Sequence, residues 1–508
     1  MGHMVLRALG LLLSLLILTE AARNFWLLQE RVLQWREVQA MKETLSKRQL
    51  LRPVPWRSPT EGVLRQPLDH FNRQEGRVFN QRFWVNEEYW HLPAGPVFLY
   101  IGGESSLSQF SVLSGHHMEM AQKYGALAVA LEHRFYGASI NPDGLQDDSL
   151  RFLSSQQALA DLASFHLFIT QKYNLTQNNT WICFGGSYPG SLAAWFRLKF
   201  PHLVFAAVAS SAPVRAQLDF TGYNQVVAAS LSDPVVGGSA KCHGAVVQAF
   251  SAVDERLDAG RLAELEKDFH SCGPLREPSD REQLASNLAD IFMGAVQYNS
   301  EGFQDGSVAK LCHIMLDEGL GSPYQRLMAV NKDFLEAMAF PCMQNSHQRL
   351  VDELRSTNLS LTGVGERQWY FQTCTEFGYY QTCEDDTCPF SRFMTLSSQL
   401  DLCAQVFGVA AERVAEAVNF TNEYYGADHP KASRILFVNG DIDPWHALSV
   451  LKNQSRSELA ILINGTSHCA NMSPSKPSDP LPLILAREWI DYHVGDWLRL
   501  ARKVRSAS

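Results

Sequence analysis

The sequence predicts an α/β fold: a mostly parallel sheet with helices on both faces, interrupted by a helical insert. Three observations carry this. Short apolar runs such as Val97-Phe98-Leu99-Tyr100-Ile101 and Ile435-Leu436-Phe437-Val438 alternate with stretches of helical periodicity. Strands buried on both faces read as unbroken apolar runs, so the sheet should be parallel and doubly covered. Between about residues 216 and 410 the alternation stops, and that stretch is helical in pattern and holds eight of the ten cysteines. Finally, the apolar run Trp181-Ile182-Cys183-Phe184 meets a helix-like run through Gly185-Gly186-Ser187-Tyr188-Pro189-Gly190, a turn that must be tight.

In chain order, residues 1–22 read as a signal peptide. Arg7 supplies positive charge, residues 8–18 are almost wholly apolar, and Ala21 and Ala22 offer small residues for cleavage. The apolar run is short for a membrane span, so no stable membrane insertion is expected after its removal. Residues 23–60 form an N-terminal extension or a propeptide, with an amphipathic helix expected over 24–45 before Pro53, Pro55 and Pro59 break the pattern. The first part of the sheet domain covers 61–215. Strands are expected at 78–85, 96–101, 126–131, 181–186 and 204–210, and helices at 118–124, 154–172 and after Ser187. The cap domain covers 216–410, with a helix expected over 401–418. Residues 411–508 complete the sheet domain, with strands at 434–438 and 458–463 and a terminal helix at 481–500.

The turn at Ser187 has the layout of a nucleophile elbow, in which a serine hydroxyl stands between a strand and a helix. Glycines before the serine permit close backbone approach. The N–H of Tyr188 would face a reacting carbonyl oxygen, and Gly102-Gly103, at the end of another strand, would bring the second oxyanion donor at Gly103. Pro189 stands where such turns usually carry glycine. Proline is tolerated in a first helical turn, and it biases Tyr188 away from the α region.

A serine needs a neighbouring base, and histidine titrates close to working pH. The run 434–438 ends in Asn439-Gly440-Asp441-Ile442-Asp443-Pro444-Trp445-His446, and the next strand ends in Asn464-Gly465-Thr466-Ser467-His468. An acid after one strand and a histidine after the next, both following the serine, is the chain order of an α/β-hydrolase. The expected triad is Ser187, Asp443 and His468. Asp441 competes as the acid, and His446 and His133 compete as the base. No metal or organic cofactor is called for.

A net charge of -9 argues against nucleic acid as a bulk electrostatic partner. The cysteines between Cys242 and Cys403 suggest disulfides in an exported protein, with connectivity unreadable. Cys383 and Cys388 are oddly spaced for zinc, and Cys183 should be a buried thiol. Seven Asn-x-Ser/Thr acceptors, at Asn174, Asn178, Asn358, Asn419, Asn453, Asn464 and Asn471, favour a glycosylated protein of the secretory pathway. Asn464 and Asn471 bracket His468, and at least one of them should stay bare.

Several stretches resemble the serine peptidase family of lysosomal prolyl carboxypeptidase and dipeptidyl peptidase II. They are Gln66 to Asn72, Gly102-Gly103-Glu104, Glu132-His133-Arg134-Phe135-Tyr136-Gly137, Gln157 to Asp161, Gly185 to Gly190, Asn439 to Trp445 and Gly465 to His468. The resemblance spans nearly the whole mature chain. It implies Asp443 as the acid, a tryptophan wall for a proline pocket at Trp445, and an inserted helical cap. It also implies peptide trimming in endosomal–lysosomal vesicles or after secretion, and the member most like this chain implies self-peptide processing in the thymus. Two departures, Pro189 and the bulky His446-Ala447-Leu448 after Trp445, bear on specificity more than on chemistry. The expected partners are peptide substrates, with a homodimer left open. A lipase or esterase of the same fold and a catalytically silent glycosylated binding protein are the rival readings.

Overall fold

The computed structural model describes residues 24–50, 58–299, 307–358 and 365–507. The expected signal peptide lies outside the described residues. In chain order the strands are β1 (Thr60–Pro67), β2 (Val78–Asn86), β3 (Val97–Ile101), β4 (Leu127–Leu131), β5 (Trp181–Gly186), β6 (Ala206–Ser210), β7 (Gln217–Asp219), β8 (Gly378–Tyr380), β9 (Ile435–Gly440) and β10 (Glu458–Ile463). Eight of them form one sheet in the order β1-β2-β4-β3-β5-β6-β9-β10. The pairs β1–β2 and β2–β4 are antiparallel, and every pair from β4 across to β10 is parallel. This is the α/β-hydrolase fold. The inner strands β4, β6 and β9 are buried at every residue, as their unbroken apolar runs require.

Two apolar layers sandwich the sheet. Ser155–Lys172 and Tyr188–Lys199 cover one face, and His116–Tyr124 and Leu481–Ala507 cover the other. Ser154 caps the first of these helices by accepting from the Gln157 N–H, which satisfies one of its orphan donors.

A buried polar knot ties the first strands to the helix Ser155–Lys172. Arg134 donates through Nε and Nη2 to the two oxygens of Asp161, at 2.7 Å each. His70 Nε2 lies 2.7 Å from Asp161 Oδ1, and Arg134 Nη1 also donates to the carbonyls of Leu68 and Phe152. Beside it Glu132 accepts from Arg82, Leu107, Ala138 and Ser139. The distinctive motif residues Glu132, Arg134 and Asp161 therefore hold the scaffold together.

Between β6 and β9 the chain is mainly helical. Thr221–Ser232, Ala240–Asp258, Pro278–Gln297 and Pro323–Met338 share one apolar core with the sheet, and the pair β7–β8 sits among them. Four disulfides lie here: Cys242–Cys312, Cys272–Cys342, Cys374–Cys403 and Cys383–Cys388. Cys183 and Cys469 are free and buried.

Two expectations change. The helix expected over 401–418 is two helices, Leu396–Phe407 and Ala411–Tyr425, divided where Gly408 takes the left-handed φ of 67°. A left-handed glycine ends a helix at little cost. The N-terminal helix runs from Asn24 to Leu50 but is not amphipathic. Leu28 and Val32 are buried, while Val38, Met41 and Leu45 are exposed. No helix among the described residues is long and apolar enough to cross a membrane.

Candidate active site

Ser187 stands between β5 and the helix Tyr188–Lys199 with φ 63° and ψ −135°. Such a backbone costs on the order of 1–3 kcal/mol and persists only where its surroundings enforce it. Here the Ser187 N–H donates to the Ser210 carbonyl at 2.9 Å, and the Ser187 carbonyl accepts from the Ser191 N–H at 3.1 Å. The glycines are required by close approach. A Cβ at Gly185 would sit 2.1 Å from the Pro189 carbonyl oxygen, and one at Gly186 would sit 2.2 Å from Met472 Sδ. Tyr188 itself begins the helix. The strain falls on Ser187 instead of on the residue before the proline. The Pro189 ring packs against the oxyanion loop, where a Cβ at Gly103 would approach its Cγ to 2.2 Å.

Asp443 follows β9 and is wholly buried. Its Oδ1 accepts from the Trp445 N–H at 3.1 Å and lies 2.9 Å from Nδ1 of His468, in the segment after β10. Among the described residues its Oδ2 is buried without a hydrogen-bond partner. The competitors have other work. Asp441 accepts from Asn464 Nδ2 and the Gly465 N–H, bracing that turn. His446 Nδ1 is 2.7 Å from the Asp443 carbonyl oxygen. His133 is locked between Tyr188 Oη and the Arg134 carbonyl, at 2.9 and 2.7 Å. Burial pushes His133 down to about 4.

Ser187, His468, Gly103 and Trp445 line one cavity of about 770 Å³, the size of a small-ligand or short-peptide pocket. Among the described residues Ser187 Oγ makes no hydrogen bond to His468. The acid–base pair is closed and the base–serine contact is open. Burial opposes a charged ring at His468, but the Asp443 carboxylate beside it, aided by Cys469, raises the histidine well above its ordinary value. Trp445 packs edge-on against Tyr223 and Tyr379 and donates its indole N–H to Gln297 Oε1 at 2.8 Å. Among the described residues no group of acidic, histidine and cysteine side chains could hold a metal ion.

Two contributors carried no sequence signal, and a third, Glu104, was marked only by the resembling stretch Gly102-Gly103-Glu104. Gln297, at the end of the insert's helix Pro278–Gln297, accepts at its carbonyl from the His468 N–H (3.0 Å) and at Oε1 from Tyr223 and Trp445. Tyr298 stands edge-on to the His468 ring at 6.3 Å. Glu104 lines the cavity, and burial raises its carboxyl above the ordinary range, opposed by His468. Of the acceptor asparagines, Asn174, Asn178, Asn358, Asn419, Asn453 and Asn464 are exposed. Asn471 is buried, and its amide donates to Ser210 Oγ at 2.8 Å.

The profile of the family "Serine carboxypeptidase S28" matches residues 66–490. The human thymus-specific serine protease is 46% identical over 499 residues, 97% of this chain and 96% of that protein. The mouse thymus-specific serine protease is 46% identical over 89% of this chain and 90% of its own length. The human lysosomal Pro-X carboxypeptidase is 27% identical over 85% of this chain and 87% of its own. With the fold, the strained serine turn and a match over most of its length, the chain belongs to the serine carboxypeptidase S28 family and is a serine-type peptidase.

Proposed function

We propose that the protein hydrolyses peptide bonds of short or unfolded peptides, with Ser187 as nucleophile, His468 as general base and acid, and Asp443 as the group that orients His468. The observation that carries this is the buried 2.9 Å contact between Asp443 and His468 on the cavity that also holds Ser187. Ser187 Oγ gives its proton to His468 Nε2 as it attacks the carbonyl carbon. The imidazolium, stabilised by Asp443, then returns the proton to the leaving amine. Water repeats the cycle and frees the acyl group. The N–H groups of Tyr188 and Gly103 receive the oxyanion. The open contact between Ser187 and His468 closes as substrate seats, as it does in many unliganded enzymes.

Trp445 walls the pocket for the residue before the cut, and its flat indole favours a proline ring. The secretory route, residence in endosomal–lysosomal vesicles and self-peptide trimming in the thymus belong to the same reading, supported by the likeness to the thymus-specific and lysosomal relatives. A fluorophosphonate probe should label the wild type and not Ser187→Ala. Labelling that survives in Ser187→Ala removes Ser187 from the mechanism. A peptide-library digest with mass readout, run beside acyl esters, then separates a peptidase from an esterase. Esters cleaved with peptides untouched would reject the peptide reading.

A further inference from the structure

The N-terminal helix Asn24–Leu50 lies along the catalytic cavity and touches both parts of the molecule. Toward the insert, Leu28 and Val32 are buried in the main core. The contact with the helix Pro278–Gln297 is so close that a Cβ at Gly294 would sit 2.0 Å from Leu28 Cδ2. Arg31 donates to the Met338 carbonyl at 3.1 Å. Toward the sheet, Glu43 accepts from Ser114 Oγ at 3.1 Å, and Lys476 stands over the Trp35 ring at 5.6 Å. In the middle, Arg36 Nη2 donates to the backbone carbonyl of His468 at 3.3 Å. Val32, Arg36 and Ala40 line the cavity together with Ser187, Gly103 and His468.

We propose that this helix is a built-in roof over the catalytic chamber and sets which peptides are cut, admitting free chain ends and excluding the interior of a long or closed chain. The inference rests on the peptidase reading above. A chamber of about 770 Å³, walled in part by a helix anchored at both sides, has room for a few residues. With the helix in place space remains above Ser187, which distinguishes a roof from a plug. The segment that the sequence offers as an extension or a propeptide is, on this view, part of the working enzyme.

The test uses one quenched peptide in two forms, linear and cyclised head to tail, with the full-length protein. Leu28→Asp and Gly294→Val each disturb the same contact from opposite sides, and neither residue lines the cavity. The wild type should cut the linear form at least about 100-fold faster than the cyclic one. Each variant should raise the cyclic-to-linear ratio about tenfold, with labelling by a small fluorophosphonate unchanged as the check of an intact site. Equal cleavage of both forms by the wild type overturns the roof. So does an unchanged ratio in variants whose helix shows faster hydrogen exchange. A wild type that is labelled but cuts peptides only after residues 24–57 are removed also overturns it, showing a plug instead. All three leave the peptidase reading standing. A chain that is neither labelled nor active on any peptide rejects that reading, and the roof with it.

Discussion

Two buried pairings of a carboxylate with a nitrogen base, Arg134–Asp161 and Asp443–His468, are built differently. In the Arg134–Asp161 knot both carboxylate oxygens are bonded, to Arg134 and His70. In the Asp443–His468 pair one oxygen carries both contacts and the other, Oδ2, has no hydrogen-bond partner among the described residues. A fully satisfied buried network rigidifies a fold, while an under-satisfied buried charge is costly and is kept where chemistry uses it. The two pairs lie in one sheet domain, and the contrast fits the roles proposed for them.

Four experiments sharpen or break that contrast. The largest effect should come from Asp443→Asn. It should lower turnover roughly 10⁴-fold, because the imidazole loses its orienting acceptor, while the melting temperature changes little. Turnover within tenfold of wild type would remove Asp443 from the mechanism. Arg134→Ala should do the opposite. It strands the buried Asp161 carboxylate and should cost about 3–5 kcal/mol of stability, read by denaturant unfolding, while the folded fraction keeps its turnover.

The third experiment follows pH. His468 is raised by Asp443, so the pair's contribution to stability is full below the ordinary histidine value of about 6.5 and is lost as pH rises through the raised folded value. Asp161 is held below its ordinary value, because the Arg134 and His70 partners outweigh burial. Its contribution is full above about pH 4 and is lost as pH falls through the lower folded value. Removing the Asp443 carboxylate should therefore move the pH profile of fluorophosphonate labelling to lower pH, since the base loses its proton more readily. A shift to higher pH would reverse the assigned coupling.

The smallest effect concerns Asn471. A glycan there would break its bond to buried Ser210 and crowd the turn after His468. Glycopeptide mass spectrometry should find Asn471 bare in active enzyme. Full occupancy would contradict the packing seen here.

The sheet and the three candidate catalytic positions were legible because each leaves a local mark. Ser187, Asp443 and His468 each follow an apolar run of strand length, and strand ends are where this fold gathers its chemistry. Gln297 and Arg36 left no such mark. Each comes from a helix remote in sequence, with nothing around it but ordinary helical residues, and meaning arises only from what it touches. The N-terminal helix was misjudged for a related reason. Its anchors Leu28 and Val32 sit one turn apart near one end, too brief a stripe to separate an anchored helix from an amphipathic one. At Pro189 the sequence suggested strain in Tyr188, but the strain lies one residue earlier, and the ring supports Gly103 instead.

The four covalent crosslinks all fall in the insert, and none joins it to the eight-stranded sheet. Two of them close loops of 70 residues, each worth about 4 kcal/mol in the chain-entropy picture. A thiol reductant would therefore slacken the walls that shape the chamber while sparing the strands that carry Ser187, Asp443 and His468. Reduction would act first on the insert, and would reach the candidate base through Gln297, whose carbonyl accepts from the His468 N–H.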